Sequence, residues 1–256
     1  MTLFKLTDLC VDVPSRRLLD RITVTFEAGA ITGLVGKNGS GKSTLLKVIA
    51  RQTTAGAGDI EFDGHPLASW PHDAFARNVA YLPQTLPLAE GLLIQELVAL
   101  GRYPWHGALG RPGPDDAAAV DRALRVCGLD HLQQQRVDTL SGGEAQRAWL
   151  ALLIAQDARC LLLDEPTSAL DIATQMDILG LVRQQCKTDG RGAVVIIHDI
   201  NLAARFCDHI VALRDGRVAF DGAPDVFMKP PLLKEVFDAD MEVMTRADGS
   251  LVALPH

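Results

Sequence analysis

The chain has 256 residues, with 48% apolar and 22% charged side chains; it is long enough to bury a core without disulfides and too apolar for wholesale disorder. Acidic residues outnumber basic ones 32 to 25, a net charge of −7, which argues against a nucleic-acid binder while leaving local phosphate binding open. The five cysteines show no C-x-x-C spacing and fit a reducing, cytosolic setting, the N-terminus lacks the pattern of a signal peptide, and no segment approaches the ~18 apolar residues needed to span a bilayer.

The first 30 residues read as strands. Ile22, Val24 and Phe26 alternate with Thr23 and Thr25, the pattern of a half-buried strand. Residues 31–35 are a short apolar strand ending in a glycine cluster, and 42–51 a helix. Residues 59–63 form a brief strand closed by Asp63-Gly64, and 79–82 a strand stopped by Pro83. The pattern then turns helical: a helix over 93–101, and a loop over 101–114 rich in Gly, Pro and aromatics. Pro114 opens a further helix, with Asp115 and Asp116 at its positive end. Val120, Leu124 and Cys127 share one face of it, and Gly128 ends it. Another helix covers 144–156. Strands return at 160–163, 193–197, 210–213 and 217–220, with a helix over 172–186. Pro230-Pro231 reads as a breaker before a short helix at 232–237. These elements predict one α/β domain over 1–256, with a core of 1–84 and 160–229, a helical insert of 85–159, and a tail of 230–256 to which the sequence assigns no role.

Three motifs carry chemistry. Gly36-Lys37-Asn38-Gly39-Ser40-Gly41-Lys42-Ser43 fits G-x-x-x-x-G-K-[ST] between a strand and a helix. Its glycines let the backbone turn N–H groups inward at a helix start, an anion nest. Lys42 adds a full charge near the β- and γ-phosphates, and the Ser43 hydroxyl is placed to ligate Mg²⁺. The competing account is a glycine-rich turn with an incidental lysine. In the second motif, Leu161-Leu162-Leu163-Asp164-Glu165, a carboxylate ends a buried strand, where open α/β sheets bind ligands. Asp164 would hold Mg²⁺ through water, and Glu165 would polarise a water for attack on the γ-phosphate. Alternatively, Asp164-Glu165-Pro166 starts a helix. The third, Leu140-Ser141-Gly142-Gly143-Glu144, opens a helix as an anion site or as a simple capping box.

Together these segments resemble the ATP-binding-cassette (ABC) ATPase family over nearly the whole chain. The resemblance implies a P-loop NTPase (RecA-like) α/β core with an antiparallel β subdomain and an inserted α-helical subdomain, binding ATP and Mg²⁺. It implies that Gly36 through Ser43 and Thr44 cradle the phosphates and that Gln84 is the Q-loop glutamine, touching Mg²⁺ and the membrane partner. Ser168-Ala169-Leu170-Asp171 resembles the D-loop at a dimer seam, and His198 the switch histidine on the γ-phosphate, though a histidine at a strand end is also satisfied locally. Ser141, Gly142 and Gly143 would bind the nucleotide of the opposite protomer, so two chains would pair head to tail. The sequence departs from the family at its adenine-stacking aromatic. That place falls near Val13, in Asp12-Val13-Pro14-Ser15-Arg16, where Arg16 would stack on the base or simply sit solvated in a turn.

One cassette without a membrane segment fits a separate ATPase subunit of an importer, on the cytoplasmic face of the inner membrane. It would serve a polytopic permease and, indirectly, a substrate-binding protein, with no nucleic acid expected. Tyr81-Leu82-Pro83-Gln84 and Val98 through Gly107 resemble importers of iron–siderophore, haem and cobalamin. Gly101-Arg102-Tyr103-Pro104-Trp105 with Gly107 through Arg111, and Ala155-Gln156-Asp157, resemble the ferric hydroxamate branch. Tyr103 and Trp105 would equally serve to anchor a loop. Haem or cobalamin import is the nearest alternative; a non-transport cassette acting on nucleic acid and a metabolite-binding α/β protein are further ones.

Overall fold

The computed structural model describes residues 1–107 and 110–255. The chain divides into two compact units, Met1–Ser69 with Arg183–His256, and Trp70–Val182.

The first unit opens on a long hairpin, β1 (Thr2–Val13) and β2 (Arg16–Glu27), which β4 (Ala57–Phe62) and the two-residue β5 (His65–Pro66) extend on the β1 side. The alternation holds: Ile22, Val24 and Phe26 are buried and Thr23 and Thr25 exposed. β3 (Ile31–Val35), buried along its whole length, precedes helix α1 (Lys42–Ile49). In the second unit, α2 (His72–Asn78) leads into β6 (Val79–Leu82). Then follow α3 (Ile94–Ala99), α4 (Tyr103–His106), α5 (Pro114–Val126) and α6 (Gly142–Gln156). β7 (Cys160–Leu163) pairs in parallel with β6, Val79 opposite Cys160 and Leu82 opposite Leu163. Helix α7 (Ile172–Asp189) carries the chain back to the first unit. There β8 (Gly192–Ile196) and β9 (His209–Arg214) flank β3, both parallel to it, and β10 (Arg217–Gly222) adds an antiparallel edge. Such unbroken apolar strands are what a sheet covered on both faces requires. Helix α8 (Ile200–Phe206) lies between β8 and β9 in the chain; α9 (Pro224–Phe227), α10 (Pro230–Phe237) and the hairpin of β11 (Met241–Thr245) and β12 (Leu251–Pro255) complete the unit.

Three expectations need correction, and one alternative falls away. The 101–114 loop contains α4, which Pro104 favours by supplying a helical φ in the first turn; Ala108 and Leu109 lie outside the described residues. Pro230-Pro231 starts a helix instead of breaking one, for the same reason. On α5 the buried face is Ala119, Ala123 and Leu124, continued by Cys127, while Val120 is only half-buried. No helix starts at Asp164-Glu165-Pro166; the segment is a turn. The sequence also gave no warning of α2, whose one buried side chain, Phe75, is too little for a helical period. The β11–β12 hairpin carried an unused signal in Asp248-Gly249, with Gly249 at φ 83°.

All five cysteines are buried and unpaired. Burial pushes the Cys127, Cys186 and Cys207 thiols up to about 12, which keeps them protonated and inert.

Candidate nucleotide site

The phosphate loop is shaped by packing as much as by its glycines. Gly36 has φ 135°, and a Cβ there would lie 2.2 Å from the carbonyl oxygen of Leu213. Gly41 has φ 106°, and a Cβ would meet Leu19 Cδ2 at 2.6 Å. Larger residues are excluded at both positions. Gly41 is the N-cap of α1 and makes no side-chain cap, and the first turn holds no acidic residue. With neither a capping side chain nor an acid, the positive dipole end of this helix start suits an external anion. Lys42 is only 5% exposed; its ammonium donates to the carbonyls of Gly36 at 2.8 Å and Lys37 at 2.9 Å. Ser40 is buried in the same loop with a hydroxyl that has no partner. A buried orphan hydroxyl beside an uncapped helix start fits a phosphate group. Lys37, Asn38 and Gly39 face solvent, and Ser43 and Thr44 are half-buried in the first turn of α1.

His198 belongs to the same unit. Leu34 of β3 lies opposite Ile196 of β8, and Ile197 N–H donates to the Leu34 carbonyl at 3.3 Å. His198 therefore leaves the sheet at the same end as Gly36, and it is exposed. The next residue, Asp199, caps α8 by accepting from the N–H groups of Asn201 at 2.7 Å and Leu202 at 3.2 Å.

The second unit holds the carboxylates. Asp164 is 1% exposed, directly after β7. Glu165 sits at φ 52°, a left-handed conformation that costs a non-glycine residue of order 1 kcal/mol and that clusters at functional sites. The Gln84 amide donates to Glu165 Oε2 at 2.8 Å, joining two residues 81 apart in sequence. Sequence reasoning gave Tyr81 no role of its own. Its hydroxyl is buried without a partner; burial first, then the charge of Asp164, pushes the phenol up to about 12. The local signal was a tyrosine on a strand paired with the one that delivers Asp164.

At the start of α6, Ser141 and Glu144 form a closed capping box. The Ser141 N–H donates to Glu144 Oε2 at 2.9 Å, its hydroxyl to the same oxygen at 2.6 Å, and Glu144 N–H returns to the hydroxyl at 3.4 Å. A Cβ on Gly143 would lie 2.9 Å from Thr174 Cγ2, so this glycine allows close approach to the start of α7. Asp171 caps α7, accepting from the Thr174 N–H at 2.9 Å and its hydroxyl at 2.8 Å; those bonds hold its carboxyl below the usual range.

The Gly101–Trp105 segment is a packing knot. A Cβ on Gly101 would lie 2.3 Å from the Leu152 carbonyl oxygen of α6. The buried Arg102 guanidinium pairs with Asp116 at 2.8 Å, donates to the Ala155 carbonyl at 2.8 Å and lies 4.8 Å from the Trp105 ring centroid. Trp105 donates to the Gln156 carbonyl at 2.7 Å, while Tyr103 is exposed. At the adenine position Val13 lies beside the β1–β2 turn, half-exposed; Arg16 is exposed, and Arg17 is tied to Asp12 and Asp20.

A parallel sheet with a strand, an uncapped glycine loop with a buried lysine, and a helix defines a nucleotide-phosphate-binding α/β protein. The family model described as ABC transporter matches residues 19–168. An achromobactin transport ATP-binding protein of Dickeya dadantii is 38% identical, covering 95% of this chain and 91% of that one. A hemin import ATP-binding protein of Nocardia farcinica is 41% identical (94% and 83%), and an iron(3+)-hydroxamate import ATP-binding protein of Bacillus subtilis 38% (90% and 86%). The chain thus belongs to the ABC transporter family and is an ATP-binding ATPase with the P-loop α/β fold of that family. A metal-chelate type ABC transporter solved in an inward-facing conformation superposes with a TM-score of 0.86 at 23% identity, over 100% of this chain and 98% of that one. A dimeric bacterial ABC transporter cassette gives 0.76 at 26% identity, over 87% and 99%. Among the described residues no helix is long and apolar enough to cross a membrane.

Proposed function

We propose that this ATPase energises import of ferric hydroxamate siderophores through a separate polytopic permease. Two copies pair head to tail on the cytoplasmic face of the inner membrane, and a substrate-binding protein delivers cargo to the permease. Lys42 and the N–H groups of Gly36 through Thr44 hold the triphosphate. Ser43, Asp164 and Gln84 would offer hard oxygen donors to Mg²⁺, whose charge would screen the phosphates. Glu165 orients and deprotonates the attacking water. His198 donates to the γ-phosphate, and Ser141, Gly142, Gly143 and Asp171 serve the nucleotide across the dimer seam.

The Gln84–Glu165 bond carries the chemical part of this proposal. It sets an amide against the carboxylate proposed as base, and Glu165 has a left-handed backbone, a conformation that clusters at functional sites. Glu165→Gln keeps the shape and removes the basicity. In single-turnover assays it is expected to bind magnesium ATP normally and hydrolyse it at least about a hundredfold more slowly; near-normal hydrolysis would remove Glu165 from the base role.

The cargo rests on the resemblance of residues 101–105 with 107–111, and of residues 155–157, to the hydroxamate branch, and haem import stands beside it because a hemin import relative is 41% identical. Growth of a deletion strain on single iron sources separates the two. Loss on ferric hydroxamates with haem use intact supports the proposal, and the reverse moves the cargo to haem.

A further inference from the structure

The C-terminal segment, silent in the sequence, reaches two parts of the nucleotide machinery. Phe227 of α9, Leu233 and Val236 of α10 and Ala253 of β12 are buried, so residues 224–255 are packed onto the first unit and are not a loose tail. Helix α10 ends at Asp238, whose N–H bonds back to the Lys234 carbonyl at 2.8 Å. The Asp238 carboxylate accepts from Lys37 Nζ at 2.5 Å with one oxygen and from Arg214 at 3.1 Å with the other. Lys37 is a residue of the phosphate loop, and its backbone carbonyl is one of the two that hold the Lys42 ammonium. Fifteen residues further on, the hairpin makes a second contact. The Asn201 side chain donates to the Ala253 carbonyl at 3.1 Å and accepts the Ala253 N–H at 2.8 Å. Both backbone groups of one strand residue are thereby satisfied by a single amide, as a neighbouring strand would do. Asn201 is the second residue of α8, three residues past His198.

We propose that residues 224–255 act as a strap with two arms, in which Asp238 positions the phosphate loop through Lys37 and Asn201, docked on Ala253, positions the His198 turn. The proposal rests on the roles given above to Lys42 and His198. The arms act on different steps. Lys42 meets the nucleotide as it binds, so loosening Lys37 reads out in KM. The γ-phosphate contact of His198 matters as the bond breaks, so loosening α8 reads out in kcat. A segment that merely stabilised the fold would move neither parameter per folded molecule.

The experiment is steady-state ATPase kinetics and thermal melting of the full chain. Asp238→Asn is expected to raise the KM for ATP roughly two- to fivefold, the range of a solvent-exposed ion pair, with kcat unchanged. Asp238→Glu restores the wild-type KM, and in a Lys37→Gln background Asp238→Asn adds nothing further. Asn201→Ala is expected to lower kcat roughly fivefold, since it leaves two buried backbone groups without partners and frees α8, with KM unchanged. Wild-type kinetics in both variants overturns the strap. So does a fall in rate that tracks the melting temperature and vanishes when kcat and KM are expressed per folded molecule. Lys42→Ala and His198→Ala run alongside. If these two keep full activity, the site assignment itself fails and the strap fails with it; if they are inactive while the tail variants are normal, only the strap falls.

Discussion

Helices α1 and α6 both start in turns of Gly and Ser, and the two starts do opposite things. At α1 the N-cap is Gly41 in a left-handed conformation, with no side-chain cap and no acid in the first turn. At α6 the N-cap is Ser141, and Glu144 closes a reciprocal box over it. Each helix start leaves four N–H groups without intrahelical partners. At α6 the protein satisfies part of that need with its own side chains; at α1 the N-cap residue supplies no side chain for it. Composition alone does not separate them, since both are runs of Gly and Ser. The difference lies in a positive φ supported from outside and in one glutamate three residues into the helix.

This contrast can be broken at either end. The largest effect is expected from Gly36→Ala. The new methyl would overlap the Leu213 carbonyl at a φ that alanine avoids, and the cost should be roughly 2–4 kcal/mol. Denaturant unfolding should register it together with weakened ATP binding; a midpoint equal to wild type would show that packing does not set the loop. A smaller loss is expected from Ser141→Ala, about 1 kcal/mol, typical of a lost N-cap. Replacement by glycine should cost only a few tenths. Equal losses for alanine and glycine would mean that the box contributes by something other than capping. The smallest effect concerns acid. The Ser141 hydroxyl and N–H hold the Glu144 carboxyl below its usual 4.5. A carboxyl lowered in the folded state stabilises above its unfolded value, and that stabilisation fades as pH falls through the folded one. The melting difference between wild type and Ser141→Ala should therefore narrow as the pH drops below about 4. A difference constant from pH 7 to pH 3 would place the cap on the hydroxyl alone.

The Gly101–Trp105 knot bears on cargo. Gly101 meets Leu152, Arg102 meets Asp116 and Ala155, and Trp105 meets Gln156, all within the second unit. A motif fixed by packing in the insert is expected wherever that insert packs the same way.

Local conformation was legible in the residues themselves. The glycines of the phosphate loop, the Ser141–Glu144 box and the alternation of β2 each follow from what one residue type permits within a few positions, so they survive any change of context. The Asp164-Glu165 strand end was legible too, although its competing helix start disappeared only when Glu165 took a left-handed turn. What the sequence could not supply were partners: Gln84 with Glu165 across 81 residues, Arg102 with Asp116 and the end of α6, Asp238 with Lys37 across 201 residues. Such contacts depend on which surfaces meet once apolar faces are buried. Burial is non-directional and leaves no spacing code in the chain, so tertiary packing alone brought these polar groups within hydrogen-bonding distance.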